Sequence, residues 1–261
     1  MARNPKRDNA KRASRPNPRE DRNRPYDEQK RSNGRRLQPE EEPLFRKKCV
    51  DLIPRNLRQE EYIDLLEDDS KPIVIAMGSA GTGKTMLATY YAMKGLIEGK
   101  YDRIIITRPA VSVDESHGFL KGGLIEKMQP WVAPLMDYFK EVWTPQQVEK
   151  MLLSEVIEIS PLAYMRGRTM KNAVILADEL QLATVGQVKM LTTRIGDNSK
   201  LICTGDLLQA DRGHNNGLKD FTDRLVQSPT AMQYIGIVEF GREHIERHPV
   251  IDAVLKLYGE D

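Results

Sequence analysis

From Pro72 onward the chain alternates short apolar runs with longer segments whose apolar positions recur every three or four residues. The runs are Ile73–Met77, Arg103–Thr107, Val156–Ile159, Val174–Ala177, Leu201–Thr204 and Gln233–Val238. They are rich in Ile, Val and Leu, the composition of strands covered on both faces of a parallel sheet. Between them the spacing predicts helices over Lys84–Glu98, Leu124–Val142, Pro145–Ser154, Val185–Ile195, Gly217–Gln227 and Pro249–Tyr258. One more helix is expected over Asn56–Glu67, with Leu57, Tyr62, Ile63, Leu65 and Leu66 as its apolar candidates. Strand–helix alternation of this kind predicts a single α/β domain with a mostly parallel, doubly wound sheet. Ligands of such sheets bind outside the carboxyl ends of the strands. The residues that follow each run are therefore the candidates for chemistry.

The pattern stops short of the N-terminus. The first 40 residues contain only six apolar side chains, Met1, Ala2, Ala10, Ala13, Tyr26 and Leu37. They carry 13 Lys and Arg against 6 Asp and Glu, whereas the other 221 residues carry 27 against 32. A net charge of +2 over 261 residues thus hides a basic segment joined to an acidic body. The segment buries too little to offset its ordering entropy, so residues 1–42 are read as a disordered basic arm and 43–261 as the globular domain. No run reaches the roughly 18 apolar residues of a membrane helix, and an apolar signal segment is absent, so no membrane association is expected. Cys49 and Cys203 are too few for a disulfide framework or a cysteine zinc site and are expected to be two reduced, buried thiols. His117, His214, His244 and His248 form no metal-ligand spacing. A reducing, cytoplasmic setting follows.

The first strand runs directly into Gly78-Ser79-Ala80-Gly81-Thr82-Gly83-Lys84-Thr85. This is G-x-x-x-x-G-K-T, the Walker A pattern, between a strand and a helix. Its glycines let successive backbone N–H groups face one anion, and the helix that follows adds the positive end of its dipole. Lys84 brings a charge to the β- and γ-phosphates of ATP, and the Thr85 hydroxyl can ligate Mg²⁺. Val174–Ala177 ends in Asp178-Glu179, which fits a Walker B site: Asp178 holding Mg²⁺ through water, Glu179 orienting and deprotonating the attacking water. A glutamate beside the metal ligand favours hydrolysis over transfer to another acceptor. The third strand end is Thr204-Gly205-Asp206, followed by Gln209, whose amide suits a γ-phosphate sensor. Gln59, one helix upstream of the loop, could pair with the adenine edge or be a solvated surface residue.

At this point the residues carry a resemblance. The chain resembles PhoH-family proteins, phage-type members in particular, over about Gln59 to Ile251. The resemblance rests on the Gly78–Thr85 loop, Thr107-Arg-Pro-Ala-Val111, Gly118-Phe-Leu120, Glu126-Lys127, Pro134-Leu135, Ile157–Thr169, Asp178-Glu-Leu-Gln181, Lys189–Gly196, Thr204-Gly-Asp206 with Gln209, and Arg247-His-Pro249. Leu180 and Leu182 depart from the family's Asp-Glu-Ala-Gln-Asn pattern, and Lys121-Gly122-Gly123 from its Pro-Gly-Asp. The resemblance implies a single RecA-like P-loop NTPase domain related to the first motor domain of superfamily-one helicases. It implies Mg²⁺-dependent ATP hydrolysis coupled to single-stranded nucleic acid, RNA before DNA, in the cytoplasm, the host's if the chain is phage-encoded. Arg108 resembles a helicase residue that touches single strands, and Arg166 and Arg168 form a basic loop suited to phosphates. Tyr164 and Trp131 could stack on bases but read better as core. With one motor lobe, an arginine finger must come from a neighbouring copy in a homo-oligomer such as a hexameric ring; Arg194 and Arg247 are the candidates. The alternative is an ATP-gated assembly or regulatory module with slow, incidental hydrolysis.

Overall fold

A computed structural model of the protein describes residues 49–109, 124–209 and 216–246, with Val250, Ile251, Val254 and Leu257; side chains 124–131 are not described. The basic arm and its boundary at 42/43, the Gly118-Phe-Leu120 and Lys121–Gly123 blocks, the Trp131 side chain, Arg247 and most of the C-terminal helix lie outside these residues.

Among the described residues six strands form one sheet: β1 (Ile73–Gly78), β2 (Arg103–Thr107), β3 (Ile157–Ile159), β4 (Ala173–Ala177), β5 (Lys200–Gly205) and β6 (Ile235–Phe240). Their order is β3-β2-β4-β5-β1-β6, and every neighbouring pair is parallel. The helices are α1 (Leu57–Glu67), α2 (Lys84–Ile97), α3 (Leu124–Val142), α4 (Pro145–Leu153), α5 (Val185–Thr192), α6 (Gly217–Leu225) and α7 (Pro229–Met232).

The doubly wound expectation holds because each inner strand feeds two cores by its period of two. Val74, Ala76, Ile104, Ile106, Val174 and Leu176 point to one face, where Tyr62 of α1, Leu87 of α2 and Phe139 and Trp143 of the α3 region pack. Ile73, Ile75, Ile105 and Ile175 point to the other, against Val188 and Leu191 of α5 and Leu218 of α6. Strand β5 lies between the Walker A strand β1 and the acidic strand β4. That insertion is the arrangement of a RecA-like α/β domain, as expected.

Some boundaries move. The last strand begins at Ile235 rather than Gln233, because Ser228 caps a four-residue helix and Gln233 closes it. As an edge strand β6 alternates buried and more exposed positions instead of being covered throughout. Leu57 is 78% exposed rather than core. Cys203 is buried but Cys49 is exposed, so the expectation of two buried thiols holds for only one. Burial pushes the Cys203 thiol up to about 12, which leaves it inert.

One buried charge fixes α1. Lys200, 2% exposed, sends its ammonium to the carbonyls of Leu66, Leu65 and Asp68 at that helix's end. Those carbonyls have no partner within the helix, and the cation supplies one. Burial pushes the Lys200 pKa down to about 8. The other end of the same helix carries Gln59 to the phosphate loop.

Candidate nucleotide site

The carboxyl ends of β1, β4 and β5 converge on a cleft of about 200 Å³. It is lined by Ala80, Gly81, Gly83, Lys84 and Thr85 of the loop, by Asp178 and Glu179, and by Gly205, Asp206 and Gln209. Residues from three separate sequence motifs therefore meet at one place. Met86 and Tyr138 also line the cleft; neither carries a motif signal, so neither was found in the sequence.

Backbone demands explain the glycines of the loop. Gly81 and Gly83 have φ of 87° and 85°, in the left-handed region. Gly78 has φ of 133°, and a Cβ there would sit 2.1 Å from the carbonyl oxygen of Phe240. The loop is braced by Thr82, whose hydroxyl donates to the Ser79 carbonyl at 3.0 Å. The Glu246 N–H donates to the Gly81 carbonyl at 3.0 Å, and Asn56 donates to the Glu246 side chain at 3.0 Å. Lys84 is 8% exposed. Its ammonium donates to the carbonyls of Gly78 and Ser79 at 2.6 and 2.7 Å, which holds the charge over the loop. Helix α2 opens at this lysine and runs 14 residues, long enough for its N-terminus to attract an anion.

Gln59, expected either at the adenine edge or as a solvated surface residue, is not solvated. It is fully buried. Its amide nitrogen donates to the Thr82 carbonyl at 3.0 Å, and its amide oxygen accepts from the Arg55 N–H at 2.9 Å. Both ends of the amide are engaged, so this side chain supports the loop from behind. Its Nε2 lies 2.8 Å from where a Cβ on Gly83 would stand.

Asp178 is 9% exposed at the end of β4. Its Oδ1 accepts from the Thr85 hydroxyl at 3.0 Å and from the Thr204 hydroxyl at 2.5 Å. Thr204 ends a neighbouring strand and was given no role from sequence; its hydroxyl fixes the carboxylate's orientation. A hydroxyl and a carboxylate oxygen side by side are the hard donors that Mg²⁺ prefers. Among the described residues no three His, Cys, Asp or Glu side chains converge. A divalent ion here would be held by Thr85, Asp178, phosphate oxygens and water, and the donor set fits that.

Glu179 adopts a left-handed backbone, φ 56°, at the turn that leaves β4. This conformation is costly for a non-glycine residue and clusters at functional sites. Its Oε2 accepts from the Gln181 amide at 2.5 Å, and its Oε1 lies 3.9 Å from Nη2 of Arg108. Gln181, 1% exposed, in turn accepts from the Asp206 N–H at 3.1 Å. A Cβ on Gly205 would stand 2.9 Å from the same Gln181 oxygen, so the glycine makes room for that bridge. Gln181 was read only as part of a motif block; it links the acidic strand end to the third one. Gln209 sits on the rim in a short 3-10 turn, exposed, with its N–H on the Asp206 carbonyl.

The remaining candidates divide. Arg108 belongs to the site through Glu179. Arg166 is exposed beyond β3. Arg168 is committed elsewhere: its guanidinium pairs through two nitrogens with Glu158 of β3, one of them at 2.8 Å. That pair lowers the Glu158 carboxyl from its ordinary value and raises Arg168. The planar fork matches the carboxylate at both oxygens, so Arg168 is engaged with Glu158 in this structure. Tyr164, expected in the core, is 62% exposed on the turn Leu162–Met165 after β3. Its neighbours Leu162 and Met165 take the buried positions instead. Arg194 lies at the opposite end of β4 from Asp178: its carbonyl accepts from Met170, just upstream of that strand. It does not reach the cleft of its own chain.

The chain is similar to known proteins over most of its domain. The family model described as PhoH-like protein matches residues 51–259. The PhoH-like protein of Mycobacterium leprae (strain TN) is 40% identical over 209 residues, 79% of this chain and 58% of that one. The PhoH-like protein of Bacillus subtilis (strain 168) is 38% identical over 221 residues, 84% of this chain and 67% of that one. Protein PhoH of Escherichia coli (strain K12) is 38% identical over 211 residues, 79% of this chain and 58% of that one. The chain thus matches less than two thirds of the length of the mycobacterial and E. coli relatives. A solved structure, the DUF1998 helicase MrfA bound to DNA, overlaps 70% of this chain and 25% of its own at 12% identity and a TM-score of 0.42.

Proposed function

The chain belongs to the PhoH-like family of P-loop nucleotide-binding proteins, and from that premise we propose that it hydrolyses ATP with Mg²⁺ and couples turnover to single-stranded nucleic acid, RNA in preference to DNA. The observation that carries the hydrolytic reading is Glu179. Its carboxylate stands beside the metal-binding pair Asp178–Thr85, on the same cleft as the phosphate loop. A water between that carboxylate and a γ-phosphate is the reactant of a hydrolase.

The roles then follow from position. Loop N–H groups and the start of α2 hold the phosphates. Lys84 exchanges loop carbonyls for β- and γ-phosphate oxygens. Thr85 and Asp178 would hold the ion, which when bound would supply positive charge at the phosphates. Glu179 orients and deprotonates water. Gln209 on the rim senses the γ-phosphate.

Support for the nucleic-acid part comes from the same strand edge. Arg108 follows β2, and the exposed Tyr164 and Arg166 follow β3, its neighbour in the sheet. A guanidinium for phosphates and an aromatic face for bases are the pair a single strand needs. The acidic balance of the domain makes it a weak long-range attractor, and the basic arm offsets that. A homo-oligomer, the hexameric ring included, supplies the arginine finger in trans. Arg194, at the opposite end of β4 from its own chain's Asp178, is one candidate for that finger, and Arg247 is the other.

The test is ATP turnover on size-separated fractions, with and without single-stranded RNA at low salt. Lys84→Ala abolishes nucleotide binding or turnover, and Glu179→Gln retains bound ATP without cleaving it. Normal hydrolysis by Glu179→Gln would remove the base assignment. An RNA-insensitive wild type would favour the ATP-gated assembly module.

A further inference from the structure

Resting on the reading that a single strand docks at this edge, we propose that Arg108 is a positioning residue that restrains the Glu179 carboxylate and releases it when a nucleic-acid phosphodiester takes the guanidinium. Strands β2 and β4 are neighbours, with Thr107 opposite Ala177. The chains therefore leave the sheet side by side, Arg108 on one and Asp178-Glu179 on the other. The Asp178 N–H still donates to the Thr107 carbonyl at 3.0 Å, which holds the two exits together.

The two carboxylate oxygens of Glu179 are held differently. Oε2 is fixed by Gln181 at 2.5 Å. Gln181 is itself buried and tied to the Asp206 N–H. Oε1 faces Arg108 across 3.9 Å, close enough for charge attraction but longer than a hydrogen bond. The side chains are 23% exposed for Arg108 and 34% for Glu179, so both are reachable from solvent. One oxygen is thus anchored inside the protein, and the other is drawn toward a group that stands at the surface.

A general base must turn a lone pair on the attacking water. While Oε1 is drawn to the guanidinium, the lone pairs it would offer are turned toward Arg108. A loose, partly exposed ion pair is weak. A phosphodiester offers the same guanidinium shorter, paired hydrogen bonds. Exchange of the Glu179 contact for a phosphodiester therefore costs little at that contact, and it converts strand binding into a freed base two residues from the sheet. The backbone at Glu179 already holds its strained turn, so only the side chain has to move.

The experiment compares wild type, Arg108→Gln and Arg108→Lys as full chains, with a single-stranded oligouridylate as the probe. For each, kcat and KM for ATP are measured with and without the oligonucleotide, and nucleotide binding and thermal unfolding confirm the fold. Arg108→Gln is expected to raise kcat without RNA by about 2- to 5-fold, the scale of one weak ion pair. KM stays unchanged, and RNA adds nothing further. Arg108→Lys restores the charge, the low basal rate and part of the RNA response. A residue that merely supported the fold would move KM and the unfolding temperature and would not separate the two kinetic constants. Basal kcat in Arg108→Gln at or below wild type overturns the proposal, whether or not the RNA response survives. A wild type indifferent to RNA alongside a faster Arg108→Gln would instead sink the coupled-ATPase reading while upholding the restraint.

Discussion

Gln59→Met separates two accounts of one side chain. In the structure the amide supports the phosphate loop; on a nucleobase-reading account it would face adenine. Methionine keeps the length and most of the volume but has no amide. The change strips the buried Thr82 carbonyl of its 3.0 Å donor and the Arg55 N–H of its 2.9 Å acceptor. A buried polar group left without its partner costs about 1–3 kcal/mol, and a half-buried one that can turn to water about 0.5–1.5 kcal/mol. The sum is about 1.5–4.5 kcal/mol of folding stability. For a domain of this size that is a fall in Tm of roughly 3–18 °C. The assay is urea unfolding, read as a shift in midpoint at constant slope, alongside KM for ATP and for GTP. The supporting role predicts lost stability and a raised KM for both nucleotides equally, since the loop binds phosphates that the two share. The base-reading role predicts unchanged stability and a selective rise for ATP. A midpoint unmoved to within about 0.5 kcal/mol, together with a lost preference for ATP, would refute the support argument.

Other consequences are as direct. Gly78→Ala places a methyl 2.1 Å from the Phe240 carbonyl oxygen at a φ of 133°. It should cost about 1–3 kcal/mol or more from backbone strain alone, and calorimetry should register it. Thr204→Val removes the 2.5 Å donor to Asp178; Mg²⁺-dependent turnover should fall about tenfold, the usual penalty for a lost outer-sphere partner, with the unfolding midpoint separating this from misfolding. The Glu158–Arg168 pair sets a pH dependence of stability. The Glu158 carboxyl is held below its ordinary 4.5 by Arg168. Its contribution is therefore complete above that value and is lost as pH falls through the lowered one, where the unfolded chain binds the proton first. Glu158→Gln should be less stable at pH 7 and should show a flatter acid limb in pH-dependent unfolding.

How far such a site is legible from sequence depends on whether its chemistry is local. The loop Gly78–Thr85 and the pair Asp178-Glu179 are contiguous, and each follows an apolar run, so strand, turn and chemistry are written together. The fold class is legible for the same reason: period-two and period-3.6 patterns are properties of short windows. What escapes is what tertiary contact decides. Gln59 is polar in an amphipathic helix, which by pattern alone is a solvated position; burial against Thr82 reverses that. Tyr164 is aromatic among apolar neighbours, which by pattern alone is a core position; a 3-10 turn puts Leu162 and Met165 inside and Tyr164 out. Arg168 and Arg166 flank one glycine and look alike, yet only Arg168 finds Glu158 across the turn.

The cleft is held together by the same kind of nonlocal contacts. Gln181 is two residues from Glu179 in sequence, but its other partner, Asp206, comes from another strand. The Glu179 carboxylate is thereby tied to the segment that carries Gln209, so that on the proposed roles a γ-phosphate sensor and a water-activating base would share one buried amide. On the opposite side Arg108 ties the same carboxylate to the edge where a strand would lie. The two oxygens of Glu179 thus face two sides, Oε2 the third strand end through Gln181 and Oε1 the exit of β2 through Arg108. A base with one input would need only to be near water. On the proposed roles, a base placed between these two contacts would have the connections required to make turnover conditional on both nucleotide and polymer, which ATPase rates with and without single-stranded RNA would test.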